Sequence, residues 1–168
     1  RLPLLLRRLD ETIAAIIAQR PDCLVIIDSP DFTHRVAKKV RKHFPDLPII
    51  DYVSPSVWAW RPGRARKMRA YIDHVLAVLP FEPDAHRRLS GPDCTYVGHP
   101  LAEVIPMDPD QYAARDSLGL DRSGRVVTIL PGSRLSELKY NSRVFVETAA
   151  QLAKRDPTIK FIIPMAGE

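Results

Sequence analysis

PDCLVIIDSPDFTHRVAKKVRKHFPDLPIIDYV, residues 21–53, alternates between two short apolar runs and one amphipathic segment. The runs at residues 23–28 and 49–53 are typical of strands, and we expect the first of them to be fully buried. Between them, Val36, Val40 and Phe44 recur at every fourth position while basic residues fill the other face, which predicts a helix over residues 33–44. This strand–helix–strand order predicts an α/β fold with a parallel sheet.

The same alternation continues on both sides of this stretch. Residues 98–109 interrupt it with three prolines and little periodicity, which is typical of a linker. We therefore predict one lobe over residues 1–98, a linker over residues 99–109 and a second lobe over residues 110–168. Further helices are predicted at residues 3–19, 64–72, 83–89, 110–118 and 136–155, and further strands at residues 74–79, 95–97, 126–130 and 160–164.

Composition excludes several classes of protein. With 45% hydrophobic and 27% charged residues, the 168-residue chain has a globular composition rather than a disordered one. No apolar run approaches the roughly 20 residues that cross a bilayer, and no signal-peptide pattern opens the chain. The two cysteines, Cys23 and Cys94, have no metal-ligand spacing, so we expect buried free thiols in a reduced, cytosolic setting.

Two basic patches hold much of the positive charge. Residues 34–43 and residues 61–69 each carry five Lys or Arg residues and no acid, in a chain of net charge +5. Such patches suit nucleic acid, anionic lipid headgroups or phosphorylated small molecules, and charge alone does not choose among them. A solvated helix face is an equally good interpretation of either patch.

Two acidic residues lie at the carboxyl end of the first predicted strand, in IDSPDF at residues 27–32. Ligands of doubly wound sheets bind where the carboxyl ends of strands meet helix N-termini, so Asp28 or Asp31 could act there as a general base towards a hydroxyl. The alternative is structural, since Asp31 could cap the helix predicted to begin at Thr33.

Both tryptophans of the chain lie in one loop, SPSVWAWRPGR at residues 54–64. Trp58 and Trp60 beside Arg61 and Arg64 suit stacking on a sugar or base, or a membrane interface. Alternatively, one tryptophan closes the core. We expect one of the two to face inward and the other outward.

LPGSR, residues 130–134, joins a predicted strand to the longest predicted helix. Gly132 permits close backbone approach and Arg134 can bind two phosphate oxygens, although neither dinucleotide-binding nor P-loop spacing is present. An ordinary turn is the alternative. His99, just before the linker, is more typical of a local hydrogen bond than of catalysis.

Five segments together resemble the lipid-A-disaccharide synthase family in residues, order and spacing: IDSPDF (27–32), YVSPSVWAWRPGR (52–64), LPFEP (79–83), VGHPLAE (97–103) and LPGSR (130–134). The resemblance covers essentially the whole chain. SPSVWAWR is highly specific, whereas LPGSR alone is a weak signal.

The resemblance implies a fold and a reaction. The family is a bacterial inverting glycosyltransferase of the GT-B type, with two Rossmann-like lobes. We expect both lobes to be incomplete in this chain, and the chain alone to be inactive. The expected reaction joins UDP-2,3-diacylglucosamine to the 6-hydroxyl of lipid X (2,3-diacylglucosamine 1-phosphate), giving lipid A disaccharide 1-phosphate and UDP, with no metal and no cofactor.

The resemblance also implies roles for particular residues. Asp31 is the expected base, with Asp28 the alternative. The expected substrate and diphosphate contacts are Ser54, Trp58, His99, Gly132, Ser133 and Arg134. The expected membrane or acyl-chain contacts are Leu2, Leu5, Leu6, Leu9, Arg61 and Arg64, which implies a cytoplasmic protein held peripherally on the inner membrane.

Two other functions fit parts of the sequence. One is another two-lobed UDP-sugar enzyme, such as an epimerase. The other is a basic module that binds nucleic acid through Trp58, Trp60 and the arginines, whereas the resemblance implies no nucleic-acid partner.

Overall fold

Helices and strands alternate along the chain, except that two helices follow each other between the fourth and fifth strands. The computed structural model describes residues 2–164, with Leu2 described only as backbone. The strands are β1 (Leu24–Ile27), β2 (Ile49–Tyr52), β3 (His74–Ala77), β4 (Asp93–Tyr96), β5 (Val126–Thr128) and β6 (Lys160–Ile162). The helices are α1 (Leu2–Gln19), α2 (Pro30–His43), α3 (Gly63–Met68), α4 (Glu82–Arg88), α5 (Leu101–Val104), α6 (Gln111–Ser117) and α7 (Leu135–Arg155).

A four-stranded parallel sheet organises the first of two compact units, residues 1–106. Its strands lie in the order β1-β2-β3-β4, so each pairs with the next one along the chain. In this register Val25 lies opposite Ile50, Ile50 opposite His74, and Val75 opposite Cys94. The α/β class and the parallel sheet are therefore confirmed.

The second unit, residues 107–168, contains one strand–helix–strand motif. Helix α7 connects β5 to β6, and these two strands pair in parallel with Val127 opposite Phe161. The division between the units falls after Pro106, inside the segment 99–109 that the sequence predicts to be a linker. That segment contains the short helix α5.

Helices α1 and α2 pack on the sheet through apolar side chains, and those of α2 lie on the stripe that the sequence predicts. Leu9 and Ile13 of α1, Ile26 of β1, and Val36 and Val40 of α2 are at most 6% exposed and form one core cluster. Full burial of each such side chain stabilises the fold by about 1.5–3 kcal/mol. This packing holds the first turn of α2 at the carboxyl end of β1.

The expectation of a fully buried first strand is wrong. Val25 and Ile27 are 52% and 60% exposed, because β1 is the edge strand of the described sheet and alternate side chains point to opposite faces. Ile26 faces the helices and is buried, whereas the face that carries Val25 and Ile27 is not covered by residues 2–164. Cys23, just before the strand, is also exposed, so only Cys94 is partly buried as expected.

Candidate functional site

The turn between β1 and α2 holds the first pair of candidate residues. Asp28 and Ser29 both have positive φ, 47° and 45°, which non-glycine residues rarely adopt. The Thr33 hydroxyl donates to the carbonyl oxygen of Asp28 (2.6 Å), and the Asp28 amide donates to the carbonyl of Tyr52 on β2 (3.2 Å). These bonds hold a strained turn in place, as is common where a chain carries function.

Asp31 lies in the first turn of α2, because that helix begins at Pro30, earlier than predicted. Its side chain is 85% exposed, and Oδ1 accepts a hydrogen bond from Nη2 of Arg64 at 3.1 Å. No side chain caps α2, so the capping alternative for Asp31 is not observed. The structure therefore brings Asp31 and Arg64 together, although the sequence assigns them different roles.

A cleft of about 460 Å³ opens beside this ion pair, between α2 and α3. Its charged lining consists of Asp31, Arg35, Lys38, Arg61, Arg64 and Lys67. Asp31 lines the cleft and Asp28 does not, although both are exposed. The two basic patches of the sequence thus face each other across one cavity.

A buried polar network that the sequence analysis missed lies beneath the cleft. Nδ1 of His34 is 3.1 Å from the Tyr71 hydroxyl, and Nε2 is 3.1 Å from Oδ2 of Asp51. The contact with Asp51 is an ion-pair distance that does not meet the geometry of a hydrogen bond, so neither oxygen of this 1% exposed carboxylate has a hydrogen-bond partner among the described residues. The signal for it was an acid inside the apolar run of β2.

Burial sets the protonation of this network. Burial raises the pKa of Asp51, and the neighbouring His34 opposes that rise only in part. Burial, together with the Asp51 charge, raises the pKa of Tyr71 to about 12, so the phenol keeps its proton at neutral pH. His34 and Tyr71 also line the cleft, so two of the three residues of this network reach the cavity.

Both tryptophans are exposed, which contradicts the expectation of one facing inward. Trp58 and Trp60 are 43% and 58% exposed, whereas Val57 is 1% exposed. The segment turns here, since the amides of residues 59 and 60 donate to the carbonyl of Ser56, and the turn directs Val57 rather than either tryptophan into the core. Val57 therefore fills the position in the core that the sequence analysis gave to a tryptophan.

Each tryptophan is nevertheless fixed by a neighbour. Trp58 Nε1 donates to Oε1 of buried Glu82 at 3.2 Å, and the Trp58 ring packs edge-on against Phe81 with centroids 5.0 Å apart. The Arg61 guanidinium lies 4.0 Å above the centroid of Trp60. The second oxygen of Glu82 accepts from the Leu79 amide at 3.0 Å, so this acid, which the sequence analysis also missed, joins two loops.

Ser54 and His99 make local contacts. Ser54 is buried, with its hydroxyl 2.8 Å from Nε2 of His86, and burial lowers the pKa of that histidine. His99 is exposed, and its Nδ1 accepts from the Leu101 amide at the start of α5 (3.1 Å). Both contacts are internal to the fold. A substrate role for either residue stays a prediction.

The LPGSR loop of the second unit already holds an anion, the carboxylate of Glu137. Oε2 of Glu137 accepts from the amides of Ser133 (3.0 Å) and Arg134 (3.1 Å), and Oε1 accepts from Nη1 of Arg134 (2.9 Å). These hydrogen bonds lower the pKa of Glu137, those from the Arg134 and Ser133 amides foremost. A substrate phosphate on these donors has to displace that carboxylate.

Gly132 is required in this loop by its conformation. Its φ is +115°, and an added Cβ would lie 2.5 Å from Cβ of Glu137. Only glycine combines that backbone angle with so close an approach. The glycine therefore permits the contact between the loop and Glu137.

The leucines assigned to membrane contact divide into two groups. Leu5 and Leu6 are each 44% exposed, whereas Leu9 is 4% exposed and belongs to the core. The side chain of Leu2 lies outside the described residues. No helix in the described part of the chain is long and apolar enough to cross a membrane, and no three His, Cys, Asp or Glu side chains there are grouped to hold a metal ion.

Comparison with known proteins agrees with the resemblance. The family described as lipid-A-disaccharide synthetase matches residues 1–168. Proteins named lipid-A-disaccharide synthase are similar to this chain: one from Nitrobacter winogradskyi is 56% identical over 165 residues (98% of this chain, 41% of that protein), one from Nitrobacter hamburgensis 60% over 153 residues (90% and 38%), and one from Bordetella pertussis 44% over 167 residues (99% and 42%). The chain spans about two fifths of the length of these curated relatives. The chain belongs to the lipid-A-disaccharide synthetase family.

Proposed function

We propose that the full-length protein transfers a diacylated glucosamine from UDP-2,3-diacylglucosamine to the 6-hydroxyl of lipid X, with inversion at the anomeric carbon. The products are lipid A disaccharide 1-phosphate and UDP. The observation that carries the proposal is the family match over the whole chain. In the structure, Asp31 is exposed and lies near the carboxyl end of β1.

Asp31 is the base of the proposed reaction. Its carboxylate takes the proton of the acceptor hydroxyl while the hydroxyl oxygen bonds to the anomeric carbon of the donor and the bond from that carbon to UDP breaks. Its exposure lets a substrate reach it, and the hydrogen bond from Arg64 keeps one oxygen oriented and leaves the other to accept a proton. Asp28 is the weaker candidate, since its carboxylate lies outside the cleft.

Arg134 and the Ser133 amide are the proposed contacts to the departing diphosphate. Donors held in this way stabilise negative charge that develops on a leaving group. In support, the same donors already bind a carboxylate, that of Glu137. Trp58, Ser54 and His99 complete the proposed set of substrate contacts.

The proposed location is the cytoplasmic face of the inner membrane, where both acylated substrates reside. Exposed Leu5 and Leu6 at the start of α1, with Arg7 and Arg8 beside them, suit an interfacial contact rather than a span. The resemblance also assigns Arg61 and Arg64 to this surface; both line the cleft between α2 and α3, where a membrane headgroup and a substrate phosphate are competing ligands for them.

UDP release tests the proposal. The full-length protein is given UDP-2,3-diacylglucosamine with and without lipid X, and we expect release that requires lipid X and that falls at least about 100-fold in Asp31→Asn. Asp84→Asn is the matched control, since Asp84 is also an exposed aspartate in the first turn of a helix, paired with Arg87 at 2.6 Å. Release that does not need lipid X, or equal loss in both variants, would contradict the proposal.

A further inference from the structure

The cleft between α2 and α3 has an unusual charge balance. Five cationic side chains line it and one carboxylate, that of Asp31, faces them; the cations are Arg35, Lys38, Arg61, Arg64 and Lys67. Elsewhere on the first unit, arginines such as Arg7, Arg41 and Arg87 pair with acids. The lining of the cleft therefore carries a net excess of positive charge, because only Arg64 pairs with its single carboxylate.

Aromatic rings position two of these cations. Lys38 Nζ lies 4.8 Å from the ring centroid of Tyr71, and the Arg61 guanidinium lies 4.0 Å from that of Trp60. Within the described part of the chain, Arg35, Lys38, Arg61 and Lys67 have no carboxylate within 4.0 Å. A contact with an aromatic ring orients a cation and leaves its hydrogen-bond donors free for an external anion.

The chemistry of the lining selects the kind of anion. A phosphate monoester carries close to two negative charges at neutral pH and three acceptor oxygens, so it can engage several of these donors at once. Arg35 and Lys67 come from opposite walls, and the cavity of about 460 Å³ has room for more than the phosphate alone. A bilayer phosphodiester carries one charge and lies in an extended surface, which suits a cleft lined by several cations less well.

We propose that this cleft binds the phosphate monoester of the acylated sugar acceptor. The inference rests on the proposed function, because the acceptor of that reaction carries a phosphate at one end of its sugar ring and the attacking hydroxyl at the other. Asp31 stands at the edge of the same cleft. A phosphate held by the cations therefore directs the hydroxyl of the same molecule towards the carboxylate that takes its proton.

A charge-matched pair of double variants of the full-length protein tests this. Arg35→Gln/Lys67→Gln removes one cation from each wall, and neither residue makes an ion pair in the described structure. Lys42→Gln/Arg66→Gln removes one cation from each of the same helices, at exposed positions that do not line the cleft. UDP release is measured against the concentration of lipid X, and again with diacylglucosamine that lacks the phosphate.

We expect the cleft variant to raise the KM for lipid X about tenfold or more, as loss of charge-assisted contacts does, and to leave the KM for the UDP-linked donor unchanged. The wild type and the control variant should prefer the phosphorylated acceptor, and the cleft variant should lose most of that preference.

Three results would overturn the inference. The first is a wild type with no preference for the phosphorylated acceptor. The second is a cleft variant that keeps this preference but binds more weakly to vesicles of phosphatidylglycerol and phosphatidylethanolamine, which would assign the cleft to membrane headgroups. The third is a wild type that releases no UDP with any acceptor. Only this third result also contradicts the proposed function, so the two failures are distinguishable.

Discussion

The guanidinium of Arg64 on α3 donates a hydrogen bond of 3.1 Å to the carboxylate of Asp31 on α2. The two residues are 33 positions apart in the sequence, so this contact joins two separate helices. Arg64 is 21% exposed and Asp31 is 85% exposed, so solvent screens the pair. Ion pairs at such positions contribute about 0–1 kcal/mol to stability. The contact therefore matters for the orientation of the carboxylate more than for the stability of the fold.

A double-mutant cycle on this pair separates the two roles. We expect Asp31→Asn and Arg64→Gln to couple by less than about 1 kcal/mol in the free energy of unfolding. In turnover, Arg64→Gln should lower kcat, and the double variant should be no slower than Asp31→Asn alone, because Arg64 acts through the carboxylate that the first change removes. The measurements are chemical denaturation and steady-state UDP release. Additive losses in kcat would show that Arg64 acts independently of Asp31.

Two glycines with positive φ allow a matched test of the LPGSR loop. Gly119 (φ +63°) has no atom near the position of an added Cβ, whereas at Gly132 (φ +115°) that atom would meet Glu137 at 2.5 Å. We expect Gly119→Ala to cost about 1 kcal/mol and Gly132→Ala about 2 kcal/mol or more, since the second change adds a clash to an unfavourable backbone angle. The Gly132 change should also raise the KM for the UDP-linked donor, whereas the Gly119 change should not. Thermal unfolding and UDP release measure both effects, and equal effects of the two changes would contradict the explanation.

The periodicity of the sequence predicted those features that depend on a single element. Val36 and Val40 recur every fourth residue, and both are buried where α2 meets the sheet. Periodicity cannot show whether both faces of a strand are covered, since that depends on the neighbours of the sheet. For this reason Val25 and Ile27 were expected to be buried, although they are exposed.

The candidate site was predictable only in part for a related reason. Asp31 could be named because it follows a strand, but its contact with Arg64 depends on how α2 packs beside α3. Asp51 was missed because it was counted as one more residue of a strand. Glu137 could have been found, since a glutamate at the third position of a helix commonly binds the free amides at that helix's start.

The two cysteines should differ in reactivity. Burial, with the charges of Glu82 and Asp51, raises the pKa of Cys94 to about 11, whereas Cys23 is exposed. Since the thiolate is the reacting form, a rise of the pKa from 9.0 to about 11 lowers the thiolate fraction of Cys94 about 100-fold at pH 8, so iodoacetamide should alkylate Cys94 much more slowly than the exposed Cys23.

Peptide mass spectrometry after timed alkylation follows both thiols. The rate at Cys94 should rise about tenfold per pH unit up to its pKa, because each unit multiplies the thiolate fraction by that factor. Alkylation in denaturant, where the two rates should converge, is the control. Comparable rates in the folded protein would contradict the burial of Cys94.

The exposed leucines of α1 provide a test of the proposed membrane contact. Leu5→Gln/Leu6→Gln removes apolar surface that is exposed in the structure, so we expect partitioning of the full-length protein onto vesicles to fall about tenfold or more with little change in thermal stability. Leu9→Ala is the contrasting change, because Leu9 is 4% exposed in the core, and its loss should cost about 2–5 kcal/mol of stability. Vesicle sedimentation and thermal unfolding measure the two quantities. Unchanged partitioning of the Leu5/Leu6 variant would show that the start of α1 does not hold the protein on the bilayer.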